Sequence, residues 1–408
     1  MKILFYNHTG TVSGAERVLS MILMHLDRDH FQPVVVCPRA SRMMELVEQA
    51  NVRTRALTQL EARFTWRLDR VLRYLNSFAS VIRRARQIVI EEAPDLIHAN
   101  SIRAGLVMSA ATTGLGVPVI WHAHDILPRH PLSSAVRLFA ALHSHNHILA
   151  VSNAVAERFR GKLLRPCARR LPITVVRNAV DLDRFRPAPE SRPAIRRALD
   201  LDEDQALVAI IGQLTPRKGQ LELIEAFAAV VQEIQDAALL IIGEALFNRD
   251  EDYARQLSRT VESLALSNRV RFLGARDDVP QLLQAIDMLV VNSHQEPFAL
   301  SVLEGLASGS AVLATAVGGT PEMIRHGANG WFVKARNQES LVEGLLTLLR
   351  DDDLRRRIGN QGRHDAAAHF TIGRFMSEIL SLYRATGECA KMPRPKTAQT
   401  LEVKLSAD

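Results

Sequence analysis

Two glutamates, Glu296 and Glu304, are separated by seven residues and bracket what reads as the start of a helix. The run before them, MLVVN (288–292), has the apolar character of a buried strand. A polar corner, Ser293 to Gln295, follows, then Glu296 and Pro297. Proline favours the first helical position, where its missing N–H costs nothing. The spacing therefore predicts a helix from about Pro297 through SVLEGLAS. Such a helix end directs unpaired backbone N–H groups, here those of Phe298, Ala299 and Leu300, and a positive dipole end out of the strand. That is a ready site for a phosphate. Glu304 falls among Val302, Leu303, Leu306 and Ala307, the apolar body of the helix. A carboxylate buried there without donors is costly, and a ribose diol would supply two hydroxyls. The same pattern also fits a helix with one solvated glutamate and a second placed by dipole preference.

Other polar groups fall at the ends of apolar runs. ALVAIIG (206–212) leads into QLTPRKGQ (213–220), which carries Gln213, Arg217 and Lys218. WHAHD (121–125) places His122 and His124 on one face of a strand end. A metal pair is conceivable there, but no third ligand lies nearby in the sequence. His98 and the cluster His143, His145 and His147 read as structural. HTGTVSGAER (8–17) is a glycine-flanked turn with a helix from about Gly14. It departs from the dinucleotide fingerprint, which argues against an oxidoreductase.

The two glutamates and the continuation LASGSAVLATAVGGTPEMIRHGANGWFV (306–333) resemble the donor-sugar signature of the retaining glycosyltransferases of family 4. The resemblance implies the GT-B fold, an α/β architecture of two Rossmann-like domains facing a cleft. It assigns Glu296 to donor-sugar hydroxyls and Glu304 to the nucleotide ribose. It places Lys218 on the donor diphosphate, the backbone of Phe298, Ala299 and Leu300 beside it, and the base near Ala275, within Leu273–Arg276. His124 matches the histidine that faces the donor sugar, so His124, Glu296 and Lys218 form the implied catalytic set. Gly14 lies in the loop near the donor phosphates. Ser152 and Asn153 resemble the family's V-S turn. Three positions depart from the pattern. Ser13 replaces the first glycine of the pair before the first helix, and Ala179 replaces a hinge glycine, strained if its φ is positive. Gln213 stands where an arginine would share the diphosphate, removing one positive charge. Arg217 is adjacent but would point elsewhere on a regular helix.

The activity implied is transfer of a sugar from a UDP- or GDP-linked donor to a lipid-linked or polysaccharide acceptor in cell-surface glycan synthesis. No cofactor and no metal are expected; the nucleotide sugar is a co-substrate. A nucleotide-sugar 2-epimerase on the same fold and a non-catalytic nucleotide-sugar-binding partner remain as alternatives.

These residues need two domains to position them, and 408 residues suffice for two. KILFYN, QPVVVC, DLIHAN, PVIWHA, HILAV and ITVVR read as strands alternating with helices, the pattern of a parallel sheet with ligands at the strands' carboxyl ends. The expected division is 1–186 for the acceptor-binding domain and 187–370 for the donor-binding domain. A helix over 371–386 crosses back to the first domain, and 387–408 is a disordered tail. Gly318 to Glu322 is expected to open a helix. Residues 1–186 hold 26 Lys and Arg against 14 Asp and Glu, a net +12; the remainder holds 25 against 30, a net −5. A basic first half suits an anionic membrane surface rather than nucleic acid, or it is a decorated solvent face. Within it, 61–93 reads as one helix with Arg63, Arg67 and Arg70 on one side and Phe64 to Trp66 at an apolar tip. That helix either packs on the core with a solvated face or rests on the membrane. No apolar run reaches the roughly 20 residues of a membrane span. Cys37, Cys167 and Cys389 have no metal-ligand spacing. The expected location is cytoplasmic, peripheral on the inner face of the cell membrane.

Overall fold

Short runs of β-branched and leucine residues form thirteen strands in the computed structural model, which describes residues 1–59, 68–143, 145–161, 171–246 and 250–391. The side chains of 68–75 and 389–391 lie outside that description. The first sheet is β1 (Lys2–Tyr6), β2 (Gln32–Cys37), β3 (Arg53–Ala56), β4 (Leu96–Ala99), β5 (Val119–Ala123), β6 (Asn146–Ala150) and β7 (Ile173–Val175). Its spatial order is β3-β2-β1-β4-β5-β6-β7, all pairs parallel. The second sheet is β8 (Leu207–Ile211), β9 (Ala238–Ile242), β10 (Val270–Gly274), β11 (Met288–Val291), β12 (Ala311–Thr315) and β13 (Trp331–Val333). Its order is β10-β9-β8-β11-β12-β13, again parallel.

Both sheets are doubly wound, and each reverses direction once: between β1 and β4, and between β8 and β11. In such sheets ligands bind outside the carboxyl ends of the strands at the reversal, where the flanking loops diverge to opposite faces. The loops bearing Gly14, Lys218 and Glu296 follow β1, β8 and β11, so both reversal points carry candidate residues.

The last helix, Ile372–Lys391, packs on the first sheet although it comes last in sequence. Phe375, Met376, Ile379, Leu382 and Tyr383 are buried with Ile3, Phe5 and Val35 of β1 and β2. A bridge between Val180 and Thr371 ties its start to the crossover between domains. A second tie is polar. Glu322 accepts hydrogen bonds from Asn153 Nδ2 (2.9 Å), the Ala154 N–H (3.3 Å) and Arg177 Nε (2.9 Å). A carboxylate of the second domain thus sits at the N-terminus of a first-domain helix, Asn153–Arg160, as the helix dipole favours.

Several expectations need correction. The donor-side helix spans Leu300–Ala307 and begins three residues after Pro297. Gly318 to Glu322 opens no α-helix; only a 3₁₀ turn, Thr320–Glu322, forms. Edge strand β3 was not anticipated. The last helix continues to Lys391, through the start of the segment expected to be disordered; 392–408 lie outside the described residues. Ala179 is buried and is not among the residues with positive φ, so the strain argument does not apply. Arg63, Phe64, Trp66 and Arg67 lie outside the described residues; the helix described there is Leu68–Glu92.

Candidate active site

The loop after β8 and the loop after β11 are laced together, and this aims Lys218 at Glu296. Residues 216–218 form a 3₁₀ turn closed by Gly219 at φ +70°. A Cβ at Gly219 would lie 2.2 Å from the Asn292 carbonyl oxygen, so only glycine permits this approach. Asn292 Nδ2 donates to the Gly219 carbonyl (3.0 Å), the His294 N–H to the Arg217 carbonyl (2.8 Å), and Arg217 Nη1 to the Gln295 carbonyl (2.9 Å). Lys218 Nζ then lies 2.6 Å from Glu296 Oε2, with Ser293 Oγ donating to the same oxygen at 2.9 Å. Arg217 approaches that oxygen to 3.8 Å. Arg217 and Lys218 therefore converge on one carboxylate, where a regular helix would have spread them. From behind, the Gly319 N–H donates to the Glu296 carbonyl at 2.9 Å. Gly318, at φ +57°, is so close that a Cβ would lie 1.9 Å from that same oxygen.

Glu296 is 5% exposed. Burial pushes its carboxyl up, but Lys218, Arg217 and the bond from Ser293 outweigh it and hold the group below the usual range. Glu304 sits one turn into its helix, also buried. Its nearest cation is Arg17 of the first domain, 3.8 Å away and half exposed. Burial therefore prevails and raises the Glu304 carboxyl against Arg17, Arg184 and Lys218. One glutamate is paired; the other is short of donors, as a carboxylate awaiting hydroxyls would be.

The first domain meets this cradle at two points. Ser13 caps the helix Gly14–His25, its N–H and Oγ both donating to Glu16 (2.9 and 2.6 Å), so Glu16 is spent on the cap. A Cβ on Gly14 would touch Leu300 Cδ1 at 3.7 Å, which puts the Gly14 loop against the first residue of the donor-side helix. Asp125 is solvent-exposed yet walled by charged groups. Partial desolvation raises its carboxyl, with Arg217 and Arg103 opposing and Glu296 adding to the rise.

His124 is held by a directional amide chain. Asn7 Nδ2 donates to the Thr9 carbonyl (2.7 Å), so Asn7 Oδ1 must accept from Asn100 Nδ2 (3.0 Å). Asn100 Nδ2 also donates to the Ala15 carbonyl (3.2 Å), which can only accept. Asn100 Oδ1 is thereby left to face His124 Nε2 at 3.2 Å, and that nitrogen must carry the proton. Nδ1 of His124 is the acceptor. Burial pushes the imidazole down to about 3. Behind it lies a second chain: Tyr383 Oη to His98 Nδ1 (2.7 Å), His98 Nε2 to His122 Nδ1 (3.2 Å), then the His122 ring against the His124 ring at 3.9 Å between centroids. Burial drives His98 down to about 3 and His122 well below its ordinary value, with neighbouring imidazoles adding to both shifts.

Not every candidate joins this constellation. Gln213 Nε2 donates to Asp250 Oδ2 at 2.7 Å, so its amide is committed to that carboxylate. Ala275 is exposed just beyond β10, at the outer edge of the second sheet, three strands from β11. Phe298 and Ala299 are buried in the turn before the helix, and Ala299 caps it. The free helical N–H groups therefore begin at Leu300. Residues that sequence reasoning missed are Arg17, Asn7, Asn100, Asp125 and Tyr383. Arg17 adjoins Glu16 in the quoted loop, and Asp125 ends the quoted WHAHD. Asn7 and Asn100 end strands beside the reversal point, a signal that could have found them. Among the described residues, no group of three or more His, Cys, Asp or Glu side chains could hold a metal.

Two doubly wound domains with facing reversal points, one of them bearing buried glutamates beside a helix N-terminus, define a GT-B glycosyltransferase fold. The chain belongs to the glycosyltransferase 4 family: residues 12–184 match the model "Glycosyltransferase Family 4" and 191–365 match "Glycosyl transferases group 1". It is 30% identical over 322 residues to D-inositol 3-phosphate glycosyltransferase of Salinispora arenicola, covering 75% of this chain and 71% of that protein. It is 22% identical over 390 residues to the UDP-Gal:alpha-D-GlcNAc-diphosphoundecaprenol alpha-1,3-galactosyltransferase of Escherichia coli, covering 91% and 94%. Among solved structures, Anabaena HepE in complex with UDP superposes with a TM-score of 0.78 at 27% identity, covering 94% of this chain and all of that one.

Proposed function

We propose that this protein is a retaining hexosyltransferase that uses a UDP-sugar in preference to a GDP-sugar, without a metal, in cell-surface glycan assembly. The observation that carries the reading is the convergence of Lys218, Arg217 and Ser293 on buried Glu296, next to a helix N-terminus and across the cleft from the Gly14 loop. In this reading Glu296 accepts hydrogen bonds from donor-sugar hydroxyls and Glu304 from the ribose. Lys218 and the N–H groups from Leu300 onward take the diphosphate, and the base stacks toward Ala275. His124 Nδ1 accepts from a sugar hydroxyl. The C1–O bond to the diphosphate breaks and a C1–O bond to the acceptor forms on the same face. The acceptor proton passes to the departing diphosphate oxygen. Preorganised donors on that oxygen are worth about 3–4 kcal/mol each.

UDP is preferred because HepE is seen with UDP and with UDP-glucose, and the Escherichia coli relative takes UDP-Gal. The latter's acceptor is a diphosphoundecaprenol-linked sugar, which supports a lipid-linked acceptor presented at the inner membrane face. Among the described residues no helix is long and apolar enough to cross a membrane, so the reading calls for peripheral contact through the basic first half.

The test is thermal stability of the full chain with UDP, GDP and ADP, beside Glu304→Ala. Ligand at 100 times its Kd should stabilise by about 2.7 kcal/mol. A shift with UDP that is lost in the variant supports the donor site. No shift with any nucleotide sinks it, and the non-catalytic nucleotide-sugar-binding alternative with it; a shift without turnover favours that alternative, which the engaged amide of Gln213 would then explain. Product analysis with UDP-glucose separates transfer from 2-epimerisation, and EDTA insensitivity checks the metal-free claim.

A further inference from the structure

Beside the donor cradle lies a second concavity of about 950 Å³ between the domains. One wall is first-domain: Ile126, Arg129, Ala154, Glu157 and Arg158. The other is second-domain, built from Arg217, His294, Gln295, Gly318 and Arg336, immediately next to Glu296. Four arginines face one carboxylate across this space. Arg217 is turned to Glu296 and the Gln295 carbonyl, but the charges of the other three are largely unspent. Arg129 and Arg336 make no ion pair or side-chain hydrogen bond among the described residues. Arg158 gives only Nε, to the Leu127 carbonyl (3.0 Å). His294 Nε2 lies 3.0 Å from a Glu222 carboxylate oxygen. Arg336 is held in the left-handed region at φ +58°, an uncommon conformation for a bulky side chain.

Like charges gathered in a concave space repel one another and focus a positive potential. A bound anion relieves that, and guanidinium groups are suited to carboxylate and phosphate because their forked N–H donors pair with two oxygens at once. We propose that this interdomain basin binds an anionic group, phosphate or carboxylate, carried by the acceptor, with Arg129 and Arg336 as its specificity-determining contacts. The proposal rests on the transferase reading above, since it is the neighbourhood of Glu296 that makes the occupant the acceptor. Arg217, Gln295 and Gly318 are shared with the donor cradle, whereas Arg129 and Arg336 belong to the basin alone, so a substitution at those two arginines reads the basin apart from the cradle.

The test uses the full chain and the double variant Arg129→Gln/Arg336→Gln, with melting temperatures compared first. Both guanidinium groups are exposed, so both proteins should be equally stable. Calorimetry with α-D-glucose 1-phosphate, D-glucuronate and D-glucose at 150 mM salt is run with and without UDP. At least one anion should bind at least tenfold tighter than glucose, and the variant should lose at least tenfold of that affinity while binding UDP as before. The phosphate and the uronate separate the two chemistries. Equal affinity for anions and glucose, or an unchanged variant, overturns the proposal. A third arm compares UDP-glucuronate with UDP-glucose. A strong preference for the uronate that vanishes in the variant gives the anion to the donor and overturns the acceptor assignment. Failure of UDP to bind the wild type sinks the transferase reading, while the anion arm without nucleotide still reads the arginines.

Discussion

The two sheets are wound alike, yet the edges they turn toward each other are electrically unlike. The second-domain edge is charged and compensated: Glu296 is buried against Lys218 and Arg217, and Glu304 is faced by Arg17 at longer range. The ends of the first-domain strands β1, β4 and β5 are neutral, built from the imidazoles of His98, His122 and His124 and the amides of Asn7 and Asn100, with charge kept to their rim at Arg17 and Asp125. A charged edge can hold a diphosphate and hydroxyls strongly, at the risk of stranding a charge when one partner is lost. A neutral edge can orient a hydroxyl without competing for the diphosphate. The difference teaches that the two sides should fail differently when cut.

The largest effect is expected at Lys218. Lys218→Met should slow transfer 100- to 1000-fold, about 3–4 kcal/mol, if the lysine serves the leaving diphosphate. It should also destabilise the fold by about 3–5 kcal/mol, because Glu296 is left buried without its close partner. Adding Glu296→Gln should restore denaturant stability and leave turnover low. If Lys218→Met is inactive but as stable as wild type, Arg217 alone compensates Glu296, and the charged edge is less tightly balanced than its geometry implies. Next comes Glu304→Ala. Hydrogen bonds to a charged group contribute about 1.5–3 kcal/mol, so the Kd for UDP should rise roughly 10- to 150-fold with little loss of stability. The carboxyl is already raised by burial, and its removal relieves that cost. An unchanged Kd by calorimetry would show that the ribose lies elsewhere.

Most strands were legible because β-branched runs ending in polar residues are a local signal; β12 and β13, inside the stretch read for its family pattern, were not read as strands. Edge strand β3, RTRA, was not legible, since it is short and carries charge on alternate residues, with Arg53 and Arg55 both reaching Glu92. The helix was placed three residues early for a tertiary reason. The Glu296 carbonyl accepts from Gly319 and the Pro297 carbonyl is crowded by the same loop, so the chain runs on to Leu300 before it can coil. The residue types of the site were legible from the family pattern. Their pairing was not: Lys218 and Glu296 are 78 residues apart, and Tyr383 and His98 are 285 apart. Only the parallel winding brings them together. The partner of Gln213 was equally hidden, since nothing in QLTPRKGQ points to Asp250.

The pH response sharpens the comparison by sign. A histidine whose folded pKa is depressed binds its proton more readily when unfolded, so stability falls as pH drops below about 6.5. With His98 and His124 down to about 3 and His122 well below its ordinary value, the loss should begin near neutrality and continue below pH 5. Each group contributes at most about 1.4 kcal/mol per pH unit. Glu304 has the opposite sign: its raised carboxyl loses stability as pH rises through the acid range. The neutral edge should prevail between pH 7 and 5, and urea midpoints across that range should fall steadily. A flat profile would mean that the imidazoles are reached by water or share their protons, and the contrast between the edges would collapse.

The smallest effect is the most discriminating. Tyr383→Phe removes one hydroxyl, 2.7 Å from His98, and keeps the ring that packs against Phe5 and Phe31. The expected cost is about 1 kcal/mol, one hydrogen bond, visible as a lower midpoint at unchanged denaturant slope. UDP affinity should not move, because that belongs to the other edge. Turnover should fall only as far as His124 is disturbed through His122. The amide chain from Asn7 through Asn100 fixes the His124 proton independently of Tyr383, so the fall should stay within a few-fold. Asn100→Ala, by contrast, frees that proton and should lower kcat more than Tyr383→Phe does, at similar stability. If the order is reversed, the imidazole chain from the last helix, and not the amide chain from β1 and β4, sets the orientation of His124.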